Sequence, residues 1–175
     1  MKTMKLALAL MAAGSLLAGC AVYKPTIPSG YTGPRASIKD SFKTYGTSKA
    51  DMFYVAQVNG NDVENTRIKT QKANAGRGML MRPVPVVHEV PADRSVTLNI
   101  IGRTQHAAPV LELTNAVYEV KGTIEFIPEA GKIYAIRGEL GDGGSSVWIE
   151  QDATRAIVGE KIEANGSGKV SMLAR

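Results

Sequence analysis

The chain has 175 residues, 44% of them hydrophobic, with 21 Lys and Arg against 16 Asp and Glu for a formal net charge of +5. Its single cysteine excludes an intrachain disulfide and a multi-thiolate zinc site. No run of basic residues interleaved with aromatics appears, so nucleic-acid binding has no support.

Residues 1–19 fall into three parts. Lys2 and Lys5 supply a positive start, residues 6–17 are an uncharged run dominated by Ala, Leu and Met, and the small Ala18 and Gly19 follow. This is the layout of a cleaved secretory signal peptide. The apolar run is about a dozen residues, short of the roughly 20 that a membrane-spanning helix needs.

Leu17-Ala18-Gly19-Cys20 then resembles the lipobox of bacterial lipoproteins at every position. The resemblance implies a diacylglycerol on the Cys20 sulfur, cleavage before Cys20 and acylation of the new amine. Two or more acyl chains hold a protein firmly to a bilayer, whereas one binds reversibly. Ala21 stands where lipoproteins retained in the inner membrane carry aspartate, which implies the outer membrane, with the body facing the periplasm or displayed at the surface. Cleavage removes two lysines and leaves 19 basic residues against 16 acidic ones, a net charge of +3. With Cys20 acylated, the body keeps no thiol nucleophile.

Residues 20–34, rich in Pro and Gly without periodicity, are expected to form an extended, lipidated tether. Beyond them, short runs of Val, Ile, Tyr and Thr alternate with turn signals, the pattern of strands in a sandwich or barrel. The segment 52–58 runs into Asn59-Gly60, a strong hairpin signal. Residues 79–90 are expected to be extended, with Pro83 and Pro85 confining them to an edge or bulged strand. A turn at 91–94 leads into a strand at 95–101, and at most a helical turn is expected near 107–115. In 118–127, Tyr118, Val120, Ile124 and Phe126 share one face. Strands at 133–140, 145–150 and 157–162 follow, and Trp148 is expected in the core. Residues 164–175 are expected to be a flexible tail. Gly-Ser-Gly-Lys within it is no Walker loop, because Val170 stands where Ser or Thr is required.

The stretch from Val90-Pro91-Ala92 through Gly131-x-x-Tyr134 to Val147-Trp148-Ile149-Glu150 resembles a segment of uncharacterised bacterial lipoproteins with β-sandwich bodies. The resemblance covers residues 77–162 and consists of turn and core positions. It implies a fold and an exported protein, and it assigns no activity.

Candidate chemistry is sparse. His88 and His106 are the only histidines, and either has the chemistry of a general base or a metal ligand. No G-x-S-x-G elbow accompanies them. Asp142, Glu150 and Asp152 cluster near one hairpin but match no calcium loop, and Asp142 and Asp152 read more simply as turn residues. Arg77, Arg82, Arg94 and Arg103 fall in or beside predicted strands near the histidines, where a shared face would make a basic patch for phosphate or carboxylate groups. Arg77, His88, Arg103 and His106 are therefore the tentative binding residues.

The expectation is one all-β domain over residues 35–163, a single antiparallel β-sandwich after a cleaved signal peptide and an extended tether. Its expected role is non-catalytic: a binding or structural module at the outer membrane or periplasm, without metal or cofactor. Its partners would be the membrane, through the N-terminal lipid, and an envelope protein or glycan. The alternatives are an envelope hydrolase using a histidine and a carboxylate, or an accessory subunit of a secretion or assembly complex.

Overall fold

The structure is a computed structural model that describes residues 23–170. The expected signal peptide at residues 1–19, the expected acylation site Cys20, the expected sorting residue Ala21 and residues 171–175 lie outside the described residues.

In chain order the elements are β1 (Arg35–Lys39), β2 (Ser41–Tyr45), β3 (Lys49–Val58), β4 (Asn61–Asp62), α1 (Thr66–Ala73), β5 (Val87–Pro91), β6 (Val96–His106), α2 (Pro109–Thr114), β7 (Val117–Phe126), β8 (Ile133–Glu139), β9 (Ser146–Gln151), β10 (Ile157–Glu163) and β11 (Lys169–Val170). One sheet runs β10-β9-β8-β1-β5 and the other β11-β7-β6-β3-β2, with β4 paired to β3. Two sheets face each other across an apolar core, an all-β sandwich. The pairing is antiparallel except between β1 and β8, which run parallel. The all-β, mainly antiparallel sandwich expected from the sequence stands, with this one pair as the exception: β1 enters sheet one between β5 and β8, and the chain then crosses to sheet two at Asp40.

The alternation of side chains explains the core. Val96, Leu98 and Ile100 of β6 point inward beside Phe53 and Val55 of β3 and Val120 and Ile124 of β7. They meet Ile38 of β1, Tyr134 and Ile136 of β8, and Val147 and Ile149 of β9 from the other sheet. Asn59 and Gly60 adopt φ of 49° and 75°, the left-handed pair that a two-residue hairpin requires.

Sheet two carries a further layer on its outer face. Ala50, Met52 and Tyr54 of β3 are buried there with Met81, against Ala56, Ile101 and Ala107. This layer includes α1, a helix that sequence periodicity missed because TRIKTQKA contains a single large apolar residue. The helix is positioned by polar contacts instead. The Asn65 side chain caps Ile68 N, the Thr66 hydroxyl donates to the Val84 carbonyl at 2.7 Å, and Val84 N donates to Thr70 Oγ1 at 2.9 Å. Both threonines are fully buried.

Three further expectations are corrected. Of the expected 79–90 strand only residues 87–90 pair in a sheet, as part of β5; the prolines hold the rest in a loop across α1. Trp148 is half-buried on the outer face of sheet one, because the inward register of β9 belongs to Val147 and Ile149, and Lys161 lies 4.1 Å over its ring. Part of the expected tail is structured: β11 pairs with Val117 and Tyr118, and Ser145 Oγ donates to the Ser167 carbonyl. The described part of the tether is likewise fastened to the body, through Lys24 N on the Asp62 carbonyl at 3.0 Å and the Thr26 hydroxyl on the Glu89 carbonyl.

Candidate functional site

The outer layer of sheet two leaves a cleft of about 600 Å³ between α1 and α2. One side is made by Arg67, Thr70, Gln71 and Asn74 of α1 and its cap, continued by Ala75, Gly76, Gly78 and Met81. Gln105 and His106, at the end of β6, lie between the sides, and Ala107, Ala108, Pro109 and Glu112 form the other. The floor is apolar where Met81 and the alanines meet, and polar where the two helices approach.

Gln105 organises the polar part. Its Oε1 accepts from Arg67 Nε at 3.0 Å and from Gln71 Nε2 at 3.3 Å, and its Nε2 donates to the His106 carbonyl at 2.9 Å and to Glu112 Oε1 at 3.1 Å. Gln105 is 6% exposed, so this linkage is fixed by packing as well as by hydrogen bonds. The Arg67 side chain is half-buried and its Nε carries the bond to Gln105, so the terminal guanidinium nitrogens are left for a ligand with oxygen acceptors. Behind Glu112, buried Arg103 pairs through Nη1 with Glu119 and lies 3.8 Å from Glu112 through Nη2. Its Nε has no hydrogen-bond partner, a cost accepted for aiming the guanidinium at two carboxylates.

The sequence-derived residues therefore separate. Arg77 lies on the loop after α1, His106 borders the cleft, and Arg103 supports Glu112 from behind. His88 belongs to β5, in the other sheet. Arg94 stacks over Tyr31 at 4.9 Å, away from the rest. The shared face that a basic patch would require does not form, because Arg103 points into a buried ion pair while Arg77 and Arg82 sit on an exposed loop.

His88 does meet a carboxylate. Its Nε2 is 3.2 Å from Asp40 Oδ1, and their side chains are 4% and 0% exposed. Asp40 Oδ1 also accepts from Val55 N at 3.0 Å and Oδ2 from Thr66 N at 2.8 Å. Asp40 thus joins β3, the first turn of α1 and β5 at the point where the chain changes sheets. The backbone occupies both oxygens, so the pair acts as an architectural joint.

On the outer face of sheet one, Glu150 accepts from Arg137 at 3.1 Å and Arg155 at 2.7 Å, while Asp152 accepts from Lys39 at 3.0 Å. Burial alone pushes Glu150 up, but the hydrogen bonds from Arg155, Arg137 and Trp148 outweigh it and hold the carboxyl below its ordinary value. The Lys39 hydrogen bond does the same for Asp152, against a smaller effect of burial. These carboxylates, considered above for calcium, are engaged by cations of the protein itself. Among the described residues, no group of three or more His, Cys, Asp and Glu is arranged to hold a metal ion.

Sequence reasoning missed Arg67, Gln71, Gln105 and Glu112, because each lies on a helix or strand end without a motif. It also passed over Met79 and Leu80, where a signal existed: the apolar run Met79-Leu80-Met81 between Gly78 and Arg82, in a stretch that prolines bar from a sheet. The molecule these observations define is a β-sandwich with a helix-walled cleft on one face. No family model matches the chain, and neither a curated protein nor a solved structure does.

Proposed function

We propose that this is a lipid-anchored protein of the bacterial envelope, attached through Cys20, whose sandwich is a non-catalytic binding module with the α1–α2 cleft as its contact surface. The observation that carries the reading is the cleft itself, where a half-buried guanidinium and an apolar floor lie side by side. A pocket of that kind suits an amphipathic ligand with an anionic group. The non-catalytic part of the reading draws on the place of His88, which lies outside the α1–α2 cleft with its side chain only 4% exposed. The anchor reading draws on the Leu17-Ala18-Gly19-Cys20 motif behind an apolar run of about a dozen residues.

Site-specific photocrosslinking in intact cells tests the cleft. A crosslinker replacing Gln71 is expected to capture an envelope component, and Arg67→Ala is expected to abolish that adduct. Adducts equally abundant from Thr154, on the far sheet, would reject the cleft as the contact surface.

A further inference from the structure

Among the described residues, six large hydrophobic side chains are more than half exposed, and four of them are chain neighbours of residues that line this cleft: Met79 at 54%, Leu80 at 59%, Val110 at 59% and Leu113 at 64%. Met79 and Leu80 follow Gly78 on the α1 side. Val110 and Leu113, three apart and so on one face of α2, lie next to the face that carries the cleft residues Pro109 and Glu112. Apolar surface gathered this way marks a contact site rather than chance exposure.

The loop carrying Met79 and Leu80 is built as a projection. Asn74 closes its base, accepting from Arg82 N at 3.0 Å and donating to the Arg82 carbonyl at 2.9 Å and the Thr70 carbonyl at 2.7 Å. Gly76 and Gly78 take φ of 77° and 64°, which lets the chain reverse within so short a span. Arg77 and Arg82 flank the apolar pair, and with Asn74 and Leu80 they line a shallow depression. Among the described residues, neither arginine side chain has an acidic partner. An apolar tip bracketed by unpaired cations matches the boundary between acyl chains and anionic headgroups.

The N-terminal end of the described chain lies on the same helix. Tyr23, with Glu64 and Lys69, borders a depression beside α1, and Lys72 Nζ lies 5.2 Å from the centre of the Tyr23 ring. The described chain therefore begins on the flank of α1, whose eight residues span only about 12 Å.

We propose that the two sides of the α1–α2 cleft dock on an anionic phospholipid bilayer, with Met79, Leu80, Val110 and Leu113 entering the headgroup boundary and Arg77 and Arg82 on the phosphates. The proposal rests on the reading of the cleft as the contact surface and names its occupant; the acyl anchor on Cys20 adds the approach of that face to the membrane. An anchor alone fixes one end of the chain. The docked lips fix which way the body faces.

The full protein, purified from bacterial membranes, is reconstituted into vesicles of phosphatidylethanolamine and phosphatidylglycerol with brominated acyl chains. An environment-sensitive fluorescent amino acid replaces Leu80, Leu113 or Ile157, one at a time. Quenching is expected at positions 80 and 113 and not at 157 on β10. The double change Arg77→Glu with Arg82→Glu, or vesicles of phosphatidylcholine alone, should reduce quenching at position 80 several-fold. Quenching at 80 and 113 no greater than at 157 overturns docking. So does protection of these sites that grows with protein concentration in the absence of vesicles, since the occupant is then a second copy. The mass of the N-terminal peptide separates the two claims. An acylated chain without quenching rejects docking and keeps the anchor, whereas a chain lacking acylation that still docks supports docking and rejects the anchor.

Discussion

Asp40 Oδ1 lies 3.2 Å from His88 Nε2 with both side chains buried, and the same carboxylate accepts from Val55 N and Thr66 N. A joint of this kind is predicted to matter for stability. Asp40→Ala strands two buried backbone donors, each worth about 1–3 kcal/mol when unsatisfied. Urea denaturation is expected to show a loss of about 2–5 kcal/mol, in line with that cost. Asp40→Asn should lose most of it too, because an amide nitrogen cannot accept the second backbone bond. An Asp40→Ala protein as stable as the parent would contradict the assignment and reopen a chemical role for His88.

Phe53 crosses the core to cover Gly138 of the opposite sheet. A Cβ at position 138 would sit 2.4 Å from Phe53 Cε1 and 2.5 Å from the Ser146 carbonyl oxygen, and the same ring also covers Gly102. Gly138→Ala is therefore expected to destabilise the sandwich by about 1–3 kcal/mol through overpacking. Combining it with Phe53→Leu should give less than the sum of the single effects, since the two sites share one space. Recovery should be partial, because the carbonyl contact belongs to the backbone. Thermal unfolding of the two single variants and the double variant measures the coupling; strict additivity would place Phe53 elsewhere.

Acid should weaken the fold through the outer face of sheet one. Glu150 and Asp152 are held below their ordinary values of 4.5 and 3.8 in the folded protein, so folding favours their charged forms. That stabilisation is fully present above the unfolded carboxylate range and is lost as pH falls through the folded values. The denaturation midpoint is expected to drop between about pH 5 and about pH 3. Arg137→Leu, which removes a partner from both carboxylates, should lower stability at neutral pH and flatten that drop. An unchanged pH profile in this variant would remove the ion pairs from the account.

The exposed apolar residues of the cleft should matter little to folding. Leu80→Asp and Leu113→Asp are expected to leave stability within about 0.5 kcal/mol of the parent, as surface changes do. The same changes should weaken association with vesicles containing phosphatidylglycerol about tenfold or more. A large loss of stability on chemical denaturation would show that these side chains serve the body.

What the sequence made legible followed from its periodicity. The alternation of Tyr118, Val120 and Ile124, the Asn59-Gly60 turn and the strand expected from residue 95, which begins at Val96, all stand in the structure. What stayed hidden depends on contacts distant in the chain. Helix α1 has no apolar stripe, and Thr66 and Thr70 place it by hydrogen bonding to Val84. The parallel pairing of β1 with β8 joins segments about a hundred residues apart, and no local pattern encodes it. Trp148 misled because its size suggests the core, while the pleat of β9 assigns the inward positions to Val147 and Ile149. The cleft was illegible for the same reason. Arg67, Gln105 and Glu112 converge only after α1, β6 and α2 have packed.

The central claim is that a lipid on Cys20 holds this cleft-bearing sandwich at a membrane. Mass spectrometry of the N-terminal peptide, with fractionation of cells carrying the parent or Cys20→Ala, tests it most directly. The account predicts a mature chain beginning at an acylated Cys20 and recovered in the membrane fraction, and a Cys20→Ala chain without acylation that is released or held only by weak docking. An unmodified thiol at Cys20, or a Cys20→Ala chain retained in membranes as firmly as the parent, would contradict it.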